Sequence, residues 1–315
     1  MIVDLPSTTT AAVNRKMVEL RERGGAVALG RVLTLVIVTD DGDPTEQAIE
    51  AANDASREHP CRVLVLARGI KRAAARLDAQ IRVGGDAGAS EVVVLRMYGP
   101  LADQGASVTV PLLLPDAPVV VWWPGEAPAV PADDPVGRLA QRRITDCAVA
   151  RNPIKALAQR RASYAAGDTD LAWPRLTLWR GLLAAALDQP PHEDVTRVVV
   201  AGAVDSPSTD LIAGWLAAKL DVPVTRNRAD VEGGLESVRL VRRSGEVALA
   251  RPDGKVGVLT QPGQPERRMA LQRRPLRDCL SEELRRLDPD EIYQEALDAL
   301  PRIRKGGGPA RKITP

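Results

Sequence analysis

Apolar positions along the chain fall into two kinds of run, and their alternation outlines the fold. Val13, Met17 and Leu20 recur at helical spacing with Lys and Arg between them, which predicts an amphipathic helix over Thr10–Arg23. "RVLTLVIVTD" (Arg31–Asp40) is too densely apolar and β-branched for a half-exposed strand and predicts one buried on both faces. The next stretch opens with Asp43 as N-cap, Pro44 at the first helical position and Glu46 three residues after the cap, so a helix follows. "CRVLVLAR" (Cys61–Arg68) is the second buried strand. Strand, helix and strand in this order make a βαβ unit with a parallel pair.

Further strands are expected at Gln80–Val83 and Glu91–Met97, joined through the "GGDAGAS" loop that contains Gly84–Gly88. Residues 101–114 fit helix and strand equally. "PVVVWW" is a strand, and the proline-rich loop after it is long enough to be functional or linking. The second half repeats the order. "PRLTLWRGLLAAALD" (Pro174–Asp188) predicts a largely buried helix, and "RVVVAGAV" (Arg197–Val204) a buried strand. A helix capped by Ser206 with Pro207 at its first position comes next, then a strand at Val222–Asn227. Corresponding elements lie about 160 residues apart, which suggests a duplication. From Leu235 the pattern turns to an antiparallel meander, with Asp253-Gly254 as a hairpin signal and a last strand near Arg267–Gln272. Two short helices follow, with Ser281 and Asp288 near their starts. The expected fold is α/β: two tandem, duplicated α/β domains with parallel βαβ cores and an antiparallel extension in the second. The expected boundaries are 1–150 for the N-terminal domain, 151–300 for the C-terminal domain and 301–315 for a disordered basic tail.

A length of 315 residues agrees with two domains, since single cores stop growing near that size. At 44% hydrophobic, 27% charged and a formal charge of +2, the chain has the composition of a soluble globular protein and lacks the basic excess of a nucleic-acid binder. The charged N-terminal segment has no apolar core for a signal peptide, and no run is long enough to span a membrane. Cys61, Cys147 and Cys279 show no CxxC spacing, which suits buried thiols in a reducing cytoplasm.

Catalytic chemistry is sparse. The two histidines, His59 and His192, have no cysteine or histidine neighbours at metal spacing, and GxSxG, GxxxxGK[ST] and GxGxxG are absent. No cofactor and no metal are expected, and the chain reads as a non-enzyme. Asp40, Asp41 and Asp43, with Thr45, stand at the carboxyl end of a buried strand, where α/β folds place ligands. They read as a cap with solvated turn residues or as a Mg²⁺ site. Asp205, Ser206, Ser208 and Thr209 hold the equivalent place in the second half and read as a cap or an anion site.

Trp122 and Trp123 are adjacent on a strand and therefore point to opposite faces: both are buried only if both faces are covered, and the favoured reading puts one indole in the core and the other, with Pro124 and Gly125, at a docking surface. Asp170, Trp173, Arg175, Trp179 and Arg180 form a second block of the residue types enriched at binding hot spots, and they read either as docking residues or as buried core tryptophans with locally paired arginines. At these blocks the chain resembles the OpcA family, the glucose-6-phosphate dehydrogenase assembly or effector proteins. The resemblance rests on "GRVLTLVIV" (Gly30–Val38), "PLLLPDAPVVVWWPG" (Pro111–Gly125), "RRITD" (Arg142–Asp146), "DLAWPRLTLWRGLLAAALD" (Asp170–Asp188) and "RVVVAGAVDSPSTDLIAGWLAAKL" (Arg197–Leu220). It implies a non-catalytic cytoplasmic partner that binds glucose-6-phosphate dehydrogenase and promotes its assembly and allosteric activation at the entry to the pentose phosphate pathway. The resemblance also implies thiol control in some relatives, for which the three cysteines here show no pair. The other reading is a sugar-phosphate- or nucleotide-binding α/β enzyme or sensor, with its ligand at Asp40–Thr45 or Asp205–Thr209.

Overall fold

The computed structural model describes residues 1–23, 31–83, 91–231 and 234–309, and the expected Gly84–Gly88 loop lies outside them. The chain divides into two compact units. The first comprises residues 1–149 with segments 165–169 and 276–289; the second comprises 150–164, 170–275 and 290–315. Membership of the two units is therefore interleaved along the chain.

The first unit carries an eight-stranded sheet built from β1 (Ile2–Leu5), β2 (Leu33–Asp40), β3 (Cys61–Arg68), β4 (Arg76–Arg82), β5 (Glu91–Tyr98), β6 (Val119–Trp122), β7 (Arg142–Thr145) and β8 (Asp168–Asp170). Their order is β1-β4-β5-β3-β2-β6-β7-β8. The central five, from β5 to β7, run parallel, and β4 and β1 add on antiparallel. β2 and β3 are buried at every position except their last, as dense β-branched runs require. One sheet face carries Val36, Val38, Leu64, Leu66, Val93, Leu95 and Val121, and Val13, Met17 and Leu20 of α1 (Thr10–Arg23) join the same core. On β2 and β3 packs α2 (Asp43–Ala55). Residues 99–112 settle as 3-10 turns around the short α3 (Gly105–Thr109), which resolves the helix–strand ambiguity in favour of helix.

The cap of α2 differs from expectation. Gly42 occupies the N-cap position with φ 130, and the helix starts at Asp43. A positive φ at that turn favours glycine, so the cap moves one residue upstream of the aspartate.

The second unit contains α4 (Pro153–Ala162), α5 (Thr177–Leu187), β9 (Arg197–Gly202), α6 (Pro207–Leu220), β10 (Val224–Arg228), β11 (Leu235–Arg242), β12 (Gly245–Ala250), β13 (Val256–Thr260) and β14 (Arg267–Ala270). After α7 (Leu276–Arg285), which returns to the first unit and packs on α2, come α8 (Glu291–Asp298) and β15 (Arg304–Pro309). The sheet order is β14-β13-β12-β11-β9-β10-β15. β9, β10 and β15 are parallel, and β11–β14 form the expected antiparallel meander. β2-α2-β3 and β9-α6-β10 are the strand–helix–strand turns common to both units. α6 lies close to α8: a Cβ at Gly214 would stand 2.2 Å from the Ala296 carbonyl oxygen, so only glycine fits.

Two expectations at the C-terminus are corrected. Asp290, not Asp288, caps α8 through its side chain, and Ser281 lies inside α7, where it donates to Glu58 Oε2 at 2.8 Å. The segment read as a disordered tail forms β15 over Arg304–Pro309, and the tail beyond residue 309 lies outside the described residues. Its backbone gains ladder hydrogen bonds along the edge of β10, and glycine suits the site because a Cβ at Gly306 would stand 1.9 Å from Asn227 Oδ1.

Candidate functional site

The tryptophan pair sits in the middle of the first sheet. Trp122 pairs with Ile37 on one side and Ile144 on the other and is 0% exposed. Its indole Nε1–H is buried without a partner among the described residues. Such an orphaned donor costs about 1–3 kcal/mol, so bulk apolar burial must outweigh it. Trp123 points to the opposite face, is 1% exposed and donates its backbone N–H to Ile144 O at 3.0 Å. The expected outward indole is therefore absent: both faces of the strand are covered, and both rings are core.

Around Trp123 the proline-rich loop folds back on itself. Asp134 Oδ1 accepts the N–H groups of Val136 (2.9 Å) and Gly137 (3.1 Å), and its carbonyl accepts Arg138 N–H at 2.9 Å. Gly137 cannot carry a side chain, because a Cβ would meet Pro131 O at 1.9 Å and the Trp123 ring at 3.2 Å. Strand order reverses between β2 and β6, and open parallel sheets hold ligands outside such a switch point. Here Trp123 and Val136 share a core with Val38, Leu66 and Val121. The hollow left beside them, between Arg68, Asp103 and Asp134, is about 90 Å³. Ligand pockets run to roughly 300–1,000 Å³, so this one cannot take a nucleotide. Pro124 is half-buried, whereas Gly125, Glu126, Ala129 and Val130 are exposed.

The second block belongs to the second unit, where its aromatic and charged groups are engaged internally. Trp173 is 1% exposed; its Nε1–H donates to Asp290 Oδ2 at 2.8 Å. Its ring packs on Tyr293 at 5.9 Å between centroids and lies 3.7 Å under the Arg180 guanidinium. Trp179 is 2% exposed, with the Arg251 guanidinium 5.5 Å above its ring. Burial pushes the Arg251 pKa below the usual guanidinium value. Asp170 is fully buried and accepts Ala172 N–H at 2.9 Å. Arg175 and Arg180 are half-buried, and Leu178 is the exposed member of the block. As with the first pair, these tryptophans are core residues and not surface anchors. Asp290, Tyr293 and Arg251 were not singled out from sequence. Only the Asp290-Glu-Ile cap signature marks any of them locally.

The turns proposed as ligand sites spend their polar groups on themselves. Asp40 pairs with Arg68 at 3.2 Å, and its carbonyl accepts the hydroxyl of buried Thr45 at 3.0 Å. Asp41 accepts from Arg96 at 3.2 Å and from the Tyr98 hydroxyl at 3.3 Å. For Asp43 only the backbone is described. In the second unit Ser206 caps α6 by accepting Thr209 N–H at 3.2 Å and the Thr209 hydroxyl at 2.8 Å. Ser208 donates to Ala172 O at 2.9 Å, while Asp205 is exposed. No group of three His, Cys, Asp or Glu residues among the described residues could hold a metal ion. No helix among them is long and apolar enough to cross a membrane.

Residues 52–162 match the family model described as the glucose-6-phosphate dehydrogenase subunit N-terminal domain, and residues 166–297 match that of its C-terminal domain. No curated protein matches the chain. Among solved structures, the chain is similar to a candidate oxidoreductase from Magnetospirillum magnetotacticum MS-1, with TM-score 0.41 and 9% identity over 86% of this chain and 99% of that one. It is also similar to glucose-6-phosphate 1-dehydrogenase from Mycobacterium avium, with TM-score 0.35 and 12% identity over 87% and 94% of the two chains.

Proposed function

The chain belongs to the OpcA family of glucose-6-phosphate dehydrogenase subunits, matched in both halves, and we propose that it acts as a non-catalytic partner promoting assembly and activation of that enzyme. Its place is then the cytoplasm, at the entry to the pentose phosphate pathway. The observation that carries this reading is the pair of family matches, which span both units. The packing supports a binding role: the switch point of the first sheet is filled by Trp123 and Val136, the Thr45 hydroxyl of the first βα turn is spent on the Asp40 carbonyl, and Ser206 and Thr209 of the second are spent on the α6 cap.

Docking is assigned to the exposed residues Gly125, Glu126, Ala129 and Val130 in the first unit and to the surface around Leu178 and Arg175 in the second. The first is a loop held by its own braces on a rigid sheet, the usual setting for recognition residues. Activation requires the chain to bind the active or assembled enzyme more tightly than the inactive or dissociated one, since a ligand shifts an equilibrium only by its differential affinity.

The test uses both purified proteins. Size exclusion reports complex formation, and NADP reduction is followed with and without this chain across enzyme concentrations. Co-elution, no turnover by this chain alone, and a rise in enzyme activity are expected. A gain confined to dilute enzyme marks assembly; a gain at all concentrations marks activation of the assembled enzyme. No co-elution and unchanged KM and kcat overturn the proposal.

A further inference from the structure

The second unit contains a cavity of about 510 Å³, within the size range of small-molecule sites. It opens beyond the carboxyl ends of β9 and β10, beside the first turn of α6, where parallel strands present ligands. Ile154 and Leu157 of α4, with Leu300 and Ile303, form an aliphatic wall. Cations line the rest: Arg161, Arg226, Arg228 and Lys305, against the single carboxylate of Asp210.

Register explains why the charges converge. Arg226 and Lys305 are directly opposed across the parallel β10–β15 pair, so their side chains leave the same face, and Arg228 follows two residues along β10. Like charges in opposed positions are destabilising unless an anion stands between them. Asp210 bonds Arg226 at 2.9 Å and also attracts Lys305, while burial pushes its own carboxyl above the usual range, so this one carboxylate faces four cations. Arg226 is otherwise fixed by the carbonyls of Gly202 (3.0 Å), Asn227 (2.9 Å) and Ala203. The side chains of Arg161 and Arg228 are exposed and make no ion pair or hydrogen bond among the described residues. The cavity thus has a fixed cationic floor, two uncommitted guanidinium groups, a lysine and an apolar wall.

We infer that this cavity binds a phosphate ester with a flat, apolar body, of which a nucleoside phosphate is the fitting class. Guanidinium groups recognise phosphate oxygens in bidentate fashion, and the lysine adds a point charge. The Ile154–Leu157 wall takes the base, which a bare sugar phosphate lacks. This inference stands on the cavity alone and is independent of the dehydrogenase reading.

Isothermal titration of the full chain with ATP, AMP, glucose 6-phosphate and inorganic phosphate tests it. Saturable binding of ATP or AMP, at least tenfold tighter than that of glucose 6-phosphate or inorganic phosphate, is expected. Arg228→Ala and Lys305→Ala should each weaken it about tenfold, and Ala158→Trp, at an exposed lining position, should block it by filling the cavity. Arg243→Ala, an exposed cation outside the cavity, should leave it unchanged. Melting curves for each variant separate lost binding from lost folding, with Arg228→Lys as the milder variant if the alanine change unfolds the chain. Absence of saturable binding, equal affinity for inorganic phosphate, equal loss in Arg243→Ala, or full binding by a folded Ala158→Trp overturns the inference. Co-elution with the dehydrogenase, measured without nucleotide on the same variants, reports separately on the dehydrogenase reading.

Discussion

Trp173 and Asp290, 117 positions apart, meet in the second unit through an indole N–H to carboxylate hydrogen bond of 2.8 Å. The same carboxylate caps α8, because its other oxygen accepts Tyr293 N–H at 3.0 Å. One side chain therefore anchors a buried tryptophan and starts a helix.

Asp290→Ala removes both functions. A lost cap costs about 1 kcal/mol and an orphaned indole donor about 1–3 kcal/mol, so urea unfolding should show a loss of about 2–4 kcal/mol. Asp290→Asn keeps one carbonyl oxygen, which can serve the cap or the indole but not both. It should cost about 1 kcal/mol. Equal stability of both variants with the wild type would contradict the dual role.

The tryptophan pair at the end of β6 responds differently. Trp122 has no partner for its N–H, so Trp122→Phe removes an unsatisfied donor together with some volume. Trp173→Phe breaks a charge-assisted bond. Thermal melts should therefore show a smaller loss for Trp122→Phe than for Trp173→Phe. Trp123→Ala should cost about 3–5 kcal/mol as a large-to-small core change. A Trp123→Ala variant that melts like the wild type would return that indole to the surface.

Asp210 carries a pH signature. Burial raises its carboxyl pKa and outweighs the attraction of Arg226 and Lys305. A folded pKa above the unfolded value means that the native state holds the proton more tightly. This group's stabilising contribution is then complete below the unfolded pKa and is lost as pH rises through the folded one. Glu46 has the opposite sign: its hydrogen bond from Arg82 lowers its pKa, so its contribution is present above the unfolded value and is lost as pH falls through the folded value. Carboxyl carbon NMR titration should place Asp210 above and Glu46 below the ordinary carboxylate range. Asp210→Asn should remove the corresponding slope from the stability profile. Titration of Asp210 at or below the ordinary value would contradict its burial.

Much of this architecture was legible where one physical constraint dominates. β2 and β3 read correctly because dense β-branched runs tolerate only double burial, and α1 because its apolar positions repeat at helical spacing. Caps were harder, since Asp40–Asp43 and Asp288–Asp290 each offer neighbouring candidates and backbone angles decide between them. The outward tryptophan failed for a tertiary reason: adjacency guarantees opposite faces, but not whether the second face is covered. β15 failed because glycine and lysine carry no local strand signal, while an open β10 edge supplies one from outside. The cationic cavity follows from that same pairing, which alone brings Lys305 opposite Arg226. The family resemblance drew on the two tryptophan blocks together with three other segments, and all four tryptophans of those blocks are core.

With those indoles buried, the docking assignment rests on the backbone they hold in place. The turn after Trp123 presents Gly125, Glu126 and Val130 outward while Ala127 packs against the core. Substitutions at Glu126 and Val130 should therefore change recognition and spare folding, since surface changes usually stay within about 0.5 kcal/mol. Glu126→Arg reverses a charge, and Val130→Asp places a charge on an exposed apolar side chain. Each should weaken association with the dehydrogenase at least tenfold, or about 1.4 kcal/mol, with a melting curve close to that of the wild type. Gly137→Ala supplies the contrast. It forces Pro131 and the Trp123 ring apart, so it should lower stability and association together. If the two surface variants bind normally while Gly137→Ala loses only stability, the loop braces the core and the dehydrogenase docks elsewhere.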